Sequence, residues 1–223
     1  MLAIVLPSLL GPTLKDTLGS LRSQSNQNFI VLLVNDSLKV IEEVIAIDAW
    51  FSSHVTVLAG PRKGWAGPPR NVAIRYAKTI GVTWLGFVDD DDYLHPKYIE
   101  WLQEHCTITP HADIVVFRAR GKFDHIPETV VIPPAGCMHL VAGFVTNSFA
   151  VKSENCLEYA EDNEDEMALL YKTKQVRGPG EDIAYLRRAL AQSKIIVFSH
   201  RVAYGVRIPI HDTAVFPLLQ LTS

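Results

Sequence analysis

Apolar runs alternate with segments of helical periodicity along the first half of the chain. The runs that predict buried strands, because they are rich in aliphatic and aromatic side chains, are residues 2–6, 29–34, 55–58 and 84–88. Leu14, Leu18 and Leu21 recur at helical spacing and predict one packed face of a helix over residues 13–24. Strands that alternate with helices in this way indicate an α/β fold with a mostly parallel central sheet.

The order of elements loosens toward the C-terminus. Residues 60–69 are too rich in glycine and proline for regular structure, and a helix is expected to begin at Arg70 and run to residue 80. Prolines around residues 129–132 suit an edge hairpin. The other predicted elements are helices ending near residue 50, over 96–106 and from 181 onward, and strands over 112–118, 129–132, 143–152, 194–198 and 202–208.

Composition limits the class of protein. With 223 residues, of which 48% are hydrophobic, the chain can bury a core and is expected to form one domain with two halves, 1–105 and 106–223. A net charge of -3 without a long basic run argues against nucleic acid as a partner. Three widely spaced cysteines fit neither a disulfide framework nor a zinc site and indicate a cytoplasmic compartment. No run approaches the ~18 apolar residues of a membrane span, so any membrane association is expected to be peripheral.

Four consecutive aspartates, Asp89 to Asp92, follow the strand at residues 84–88. Open α/β sheets place ligands beside the C-terminal ends of their strands, and carboxylates that repel one another favour a bound dication or a cationic partner. A hard metal that also binds phosphate oxygens meets that need. A solvated acidic turn that caps the helix near Pro96 explains the same residues without a ligand, and the cluster alone leaves both open.

Two cations lie near the start of the helix that follows the glycine- and proline-rich loop. Helix N-termini attract anions, so Lys63 and Arg70 are predicted to contact either a diphosphate or the aspartates. An ordinary helix start with proline in its first turn accounts for the same residues.

Four segments, in this order, resemble the nucleotide-binding half of family 2 glycosyltransferases: Ile4-Val-Leu-Pro-Ser8, Val34-Asn-Asp36-Ser37, Gly67-Pro-Pro-Arg70-Asn71 and Phe87-Val-Asp-Asp-Asp-Asp92. The corresponding strings of the family are V-I-P-T-Y-N, V-D-D-G-S, G-x-x-x-A-R-N and F-L-D-A-D-D. The resemblance implies the GT-A fold, a Rossmann-like α/β/α sandwich. The chain departs from the pattern at Leu9 and Leu10, where the family has Tyr-Asn, and at Asn35, where it has aspartate.

The resemblance also implies roles for individual residues. Pro7, Ser8 and Leu9 are expected to border the nucleotide, and Asp36 to contact its base. Asp89 or Asp90 is expected to contact the ribose or the sugar. Asp91 is expected to bind the metal, either Mn²⁺ or Mg²⁺.

A second acidic motif, Gly178-Pro-Gly180-Glu181-Asp182, opens a later helix. Acidic residues in a first turn favour the helix dipole, which is by itself a sufficient structural explanation. The resemblance implies instead that Asp182 is the general base, with Glu181 beside it, because the family places a Glu-Asp pair at this distance after the metal motif.

A late histidine completes the expected site. Many GT-A enzymes use such a histidine as a further metal ligand, often shortly after an arginine. Arg207 followed by His211 resembles that arrangement, and His200 competes for the role.

These features predict an inverting glycosyltransferase that moves a sugar, expected to be a hexose, from a nucleotide diphosphate sugar. A UDP-sugar is the expected donor, and the expected acceptor is a hydroxyl group of a glycan, a lipid-linked glycan or a small molecule. Two alternatives remain: a sugar nucleotidyltransferase and a non-catalytic nucleotide-sugar-binding protein. The first usually has a basic, glycine-rich loop after its first strand, whereas residues 7–12 contain one glycine and no cation. The second would have no use for a base at Asp182.

Overall fold

The structure is a computed structural model that describes residues 1–63, 65–123, 126–133, 136, 147–159 and 181–207. Of residues 122–123, 126–130 and 181, only the backbone is described. Nine strands of this part form one sheet. They are β1 (Leu2–Ser8), β2 (Phe29–Asn35), β3 (Val55–Ala59), β4 (Trp84–Phe87), β5 (Tyr93–Leu94), β6 (Ile114–Phe123), β7 (Ile126–Ile132), β8 (Phe149–Lys152) and β9 (Ile196–Val206). The described helices are α1 (Leu14–Arg22), α2 (Ala49–His54), α3 (Gly67–Thr79), α4 (Tyr98–Ile108) and α5 (Glu181–Ala191).

The strand order is β3-β2-β1-β4-β8-β6-β9-β5, with β7 added to β6 as a hairpin partner. The first four strands in this order are parallel to one another. Strand β8 is antiparallel to β4 and to β6, while β9 runs parallel to β6. The predicted α/β fold is therefore confirmed with a mixed sheet, in which the N-terminal strands are parallel and every antiparallel pair includes a strand of the C-terminal half.

Each face of the sheet carries its own apolar core. Leu2, Ile4 and Leu6 of β1 pack on one side, with the buried faces of α1 and α4. Ala3 and Val5 point to the other side, where α3 and α5 pack. This alternation follows from the period of two in a strand and produces the predicted α/β/α sandwich.

Several predicted boundaries are wrong, and each has a local reason. Helix α3 begins at Gly67 rather than at Arg70, because the amides of a first helical turn need no intrahelical acceptor and so tolerate Pro68 and Pro69. The helix expected before residue 50 is replaced by a short 3₁₀ turn, Ile41–Glu43, and by α2, for which Asp48 provides the N-cap by accepting a hydrogen bond from the amide of Phe51.

The strands near the C-terminus also differ from the prediction. The two strands expected over 194–198 and 202–208 are one strand, β9, whose register against β6 shifts between them. The strand expected over 143–152 begins at Phe149, and residues 143–146 lie outside the described part. Within the described residues, no helix is long and apolar enough to span a bilayer.

Candidate active site

Asp89 to Asp92, here called the aspartate turn, connect β4 to β5, and the amide of Asp92 donates to the carbonyl of Asp89 at 3.1 Å. Because β1, β2 and β4 run parallel, their C-terminal ends share one edge of the sheet. Ser8 and Asp36 lie at that edge, where the amide of Asp36 donates to the carbonyl of Ser8 at 2.9 Å. The sheet therefore gathers the candidate donor residues from three separate parts of the chain.

Asp92 is the buried end of the turn, 6% exposed. Its Oδ2 accepts a hydrogen bond from the Tyr204 hydroxyl at 2.8 Å, and its Oδ1 accepts one from the amide of Arg207 at 3.0 Å. Burial raises the pKa of Asp92 well above its ordinary value, and the charges of Asp89 and Asp91 raise it further. These contacts attach the turn to β9.

Asp89 is held from two sides. Its Oδ1 lies 2.6 Å from Arg70 Nη2, and its Oδ2 accepts a hydrogen bond from Asn147 Nδ2 at 2.7 Å. The amide of Asp89 donates to the same Tyr204 hydroxyl that contacts Asp92, at 3.3 Å. The orientation of this carboxylate is therefore set by α3, by the residues before β8 and by β9 together.

Asp90 turns toward β1. Its Oδ2 accepts hydrogen bonds from Ser8 Oγ at 2.6 Å and from the amide of Leu9 at 3.3 Å. Burial raises the pKa of Asp90, while the Ser8 hydrogen bond opposes the shift. The predicted binding residues Ser8 and Leu9 are thus in direct contact with the turn, while Pro7 is buried within β1.

Asp91 points outward. Its side chain is 41% exposed and lies 3.3 Å from Arg207 Nε. In the described residues, no three side chains of His, Cys, Asp or Glu are grouped so that they could hold a metal ion. One exposed carboxylate nevertheless fits the common arrangement in which Mg²⁺ is shared between one or two carboxylates and substrate phosphates. The turn therefore suits a cation that arrives with a diphosphate.

Asp36 lies at the end of β2 and is 6% exposed. Its Oδ1 accepts a hydrogen bond from the amide of Arg62 at 2.5 Å, which draws the loop after β3 over the edge of the sheet. Lys63, in the same loop, is exposed. An exposed cation therefore lies one residue after Arg62, the residue whose amide contacts Asp36.

Arg70 joins the two acidic motifs. It lies in the first turns of α3 and is 1% exposed, with Nη2 on Asp89 and Nη1 at 3.5 Å from Asp182 Oδ1. Its guanidinium carbon also lies 5.1 Å from the centre of the Tyr159 ring. Of the two partners predicted for Arg70, the structure shows the aspartates, and the Arg70 side chain is almost fully buried between them.

A match to known sequences covers the segments that build this edge of the sheet. Residues 4–134 match the family model described as glycosyl transferase family 2. That is more than half of the 223-residue chain. The chain belongs to glycosyl transferase family 2. The resemblance of its four motifs to this family is thereby confirmed.

The chain is similar to a known protein sequence and to solved structures. A Haemophilus influenzae protein described as an uncharacterized glycosyltransferase is 30% identical over 135 residues, which is 60% of this chain and 44% of that protein. S. aureus TarS 1-349 in complex with UDP has a TM-score of 0.65 at 18% identity, over 92% of this chain and 60% of that one. The mannosyltransferase PcManGT from Pyrobaculum calidifontis, in complex with GDP-Man and Mn²⁺, has a TM-score of 0.59 at 11% identity, over 95% and 58%.

These likenesses confirm the predicted GT-A-like α/β fold. The chain spans less than half of the Haemophilus protein and about 60% of the two structural neighbours. At 18% and 11% identity, the structural neighbours establish fold alone.

Three predicted candidates of this family 2 member are not seen in the cluster. Glu181 begins α5, but its side chain is not described, and His211 lies outside the described residues. His200 is exposed on β9, whereas Gly205 is the residue of that strand that pairs beside the aspartate turn, with Tyr93. His200 lies within the register shift of β9 against β6, five residues before Gly205. The described residues show no contact between His200 and Asp91.

Sequence analysis missed four contributors to the site: Asn147, Tyr159, Tyr204 and the amide of Arg62. None belongs to a motif, and each reaches an aspartate or Arg70 only through the pairing of distant strands and loops. The signal that was available for Tyr204 is its place in an apolar strand, where a buried tyrosine hydroxyl requires a polar partner. No local pattern indicates Asn147 or Arg62.

Proposed function

We propose that this chain carries the donor-binding and catalytic residues of an inverting glycosyltransferase that moves a hexose from a UDP-sugar to a hydroxyl acceptor. The single observation that carries the proposal is the buried Arg70, which contacts both Asp89 and Asp182. It links the acidic motif expected to hold the donor to the acidic residue expected to act as base. A protein that only bound nucleotide sugars would not need that second carboxylate beside the first.

The donor side is assigned to residues 1–105 and the acceptor side to residues 106–223. Asp36 would accept a ring N–H of the base, and Asp89 or Asp90 would face the ribose or the sugar. Lys63, exposed in the loop beside Asp36, is the available cation for the diphosphate. The deep position of Arg70 makes it a positioning residue that holds Asp89 and Asp182 rather than a diphosphate ligand.

A divalent cation, Mn²⁺ or Mg²⁺, is proposed to bind at Asp91. The exposed carboxylate supports this assignment, since a cation shared with phosphate oxygens needs few protein ligands. Such a cation would neutralise charge on the departing diphosphate. His211 remains the candidate for a second protein ligand. TarS has been crystallised with UDP and PcManGT with GDP-Man and Mn²⁺, which supports a nucleotide-linked donor and a metal for this fold.

Asp182 is proposed to supply the base. Its side chain is 19% exposed, so it is partly open to an acceptor while Arg70 fixes its orientation. Asp182 would take the proton of the acceptor hydroxyl as the oxygen attacks the anomeric carbon. The bond from that carbon to the diphosphate breaks, and the nucleotide leaves with the electron pair. Base catalysis of this kind contributes roughly 10²–10⁴-fold to the rate.

Identification of the released nucleotide tests this proposal. The protein is incubated with a panel of nucleotide sugars, with Mn²⁺ or with a chelator, and the products are separated. A glycosyltransferase whose acceptor is missing slowly releases the nucleoside diphosphate and free sugar, and it needs the cation to do so. A nucleotidyltransferase releases a product cleaved within the diphosphate, and a binding protein releases nothing. Either of these outcomes would contradict the proposal.

A further inference from the structure

The turn formed by Gly60, Pro61 and Arg62 lies directly on the Asp36 side chain. The amide of Gly60 donates to the carbonyl of Asn35 at 2.8 Å, and the amide of Arg62 donates to Asp36 Oδ1 at 2.5 Å. A methyl group at Gly60 would lie 2.5 Å from Asp36 Oδ1 and 2.8 Å from Asp36 Cα. Only glycine allows the backbone to approach the carboxylate this closely.

The same turn holds an unusual backbone conformation. Arg62 has a φ of 59°, in the left-handed region of backbone conformation that residues other than glycine rarely adopt. This conformation accompanies the contact that aims the Arg62 amide at Asp36. The two oxygens of the carboxylate are therefore not equivalent: Oδ1 is covered by the turn, while Oδ2 has no protein donor among the described residues.

We propose that the Gly60–Arg62 turn determines which base the site selects. The inference rests on the proposed function, because it takes Asp36 as the residue that faces the base. With Oδ1 bonded to the Arg62 amide and covered by the backbone at Gly60, a nucleotide meets one accessible acceptor oxygen. Uracil offers a single ring N–H between two carbonyls and matches one acceptor. Guanine offers adjacent ring and amino N–H groups, which are satisfied best by both oxygens of a carboxylate together.

The fixed orientation gives the proposal a distinctive consequence for Asp36→Asn. An asparagine has one acceptor and one donor end, and the Arg62 amide is a donor. The amide oxygen must therefore face Arg62, which turns the NH₂ group toward the base. That group opposes the ring N–H of uracil but donates to the ring nitrogen of cytosine, which is an acceptor at the same position. The variant should exchange a preference for uridine for a preference for cytidine.

Thermal-shift and calorimetric titrations with UDP, CDP and GDP, in the presence of Mn²⁺, test the inference. A ligand that binds only the native state raises stability by an amount set by its Kd. Wild-type protein should prefer UDP to both other nucleotides. In Asp36→Asn the ratio of UDP to CDP affinity should fall by about 10-fold or more, because a charged hydrogen bond is replaced by opposed donors.

Two further variants separate the effect of the turn's backbone from the effect of the Arg62 side chain. Gly60→Ala should displace the turn and weaken UDP binding, while Gly11→Ala serves as its control, because a methyl group there meets only Thr13 Oγ1 at 3.8 Å. Arg62→Gly retains the amide and suits the positive φ. It should change the affinities for UDP, CDP and GDP by the same factor, because it removes a charge without altering the contact to Asp36.

The outcomes are distinguishable. An Asp36→Asn protein that loses UDP without gaining CDP would overturn the role of the turn and leave the proposed function in place. A wild-type preference for GDP would overturn the role of the turn and the choice of a UDP-sugar, while glycosyl transfer from another nucleotide sugar would stand. Wild-type protein that binds none of the three nucleotides would contradict the proposed function and this inference together. A melting temperature of each variant without ligand, compared with wild type, shows that the variant is folded before its affinities are compared.

Discussion

Asp91 and Asp92 are neighbours in the sequence with opposite surroundings. Asp92 is 6% exposed and accepts hydrogen bonds from Tyr204 and from the backbone of Arg207. The side chain of Asp91 is 41% exposed, and its ion pair with Arg207 Nε, at 3.3 Å, lies on the surface. A run of identical residues is thus divided by the fold into an anchor and a group open to ligands. The composition of a motif does not reveal which member has which role.

The same division extends to the rest of the site. Asp89 and Arg70 belong with Asp92, because both are held by several protein groups. Asp182 has features of both an anchor and a ligand-facing group, because it contacts Arg70 and is partly exposed. Substitution of an anchor should lower the free energy of unfolding, whereas substitution of a ligand-facing group should change binding or turnover. The following predictions test that contrast.

Asp182→Asn should show the largest effect on turnover. If Asp182 is the base, the amide retains its size and removes basicity, so kcat should fall roughly 10²–10⁴-fold while donor affinity is nearly unchanged. The measurement requires a working acceptor and compares kcat with the donor Kd. Wild-type rates in the variant would remove Asp182 from the mechanism and make Glu181 the next residue to substitute.

Arg70→Ala should be the most destabilising single change in the site. It leaves Asp89 and Asp182 without their shared cation, and removing one partner of a buried ion pair costs about 3–5 kcal/mol. Urea denaturation measures the effect. Arg75→Ala is the matched control on the same helix, because its pair with Glu158 at 2.7 Å is half exposed and such pairs contribute at most ~1 kcal/mol. Equal losses in the two variants would contradict the anchoring role of Arg70.

Asp92→Ala should lower the free energy of unfolding by about 1–3 kcal/mol, because the Tyr204 hydroxyl and the Arg207 amide lose their acceptor in a buried site. Tyr204→Phe removes the other partner of the same hydrogen bond. In a double-mutant cycle the two changes should therefore be less than additive. Strict additivity would show that Asp92 and Tyr204 do not act as one anchor.

Asp91→Ala should have the smallest effect on stability. Both members of its ion pair are exposed, so the free energy of unfolding should change by no more than about 0.5 kcal/mol. The comparison with Asp92→Ala is made under identical denaturation conditions. A loss as large as that of Asp92→Ala would place Asp91 among the anchors.

Much of the fold could be predicted because the strands that position the site are buried on both faces. Leu2–Ser8 and Phe29–Asn35 are nearly continuous apolar runs, and their polar residues begin where the strands end. The positions of Ser8, Asp36 and the aspartates at one edge follow from parallel pairing. Strand β9 was predicted as two strands because Ser199, His200 and Arg201 interrupt its apolar pattern.

The roles within the site were less predictable, because they depend on contacts between distant segments. The sequence does not show that Arg70 lies between Asp89 and Asp182, or that Asn147 and Tyr204 orient the turn. Pairing of β4 with β8, and of β5 with β9, brings those residues together. The orientation of the Asp36 carboxylate depends in the same way on the turn after β3.

Calorimetric titration of UDP into wild-type protein and Asp91→Ala, each with Mn²⁺ and with a chelator, shows whether Asp91 holds the cation. Wild-type protein is expected to bind UDP in Mn²⁺ and much more weakly in chelator. Asp91→Ala, although as stable as wild type, should bind UDP in Mn²⁺ no more tightly than wild-type protein binds it in chelator. Equal affinity of the two proteins for UDP in Mn²⁺ would contradict the assignment of Asp91 as the carboxylate that holds the cation and diphosphate together.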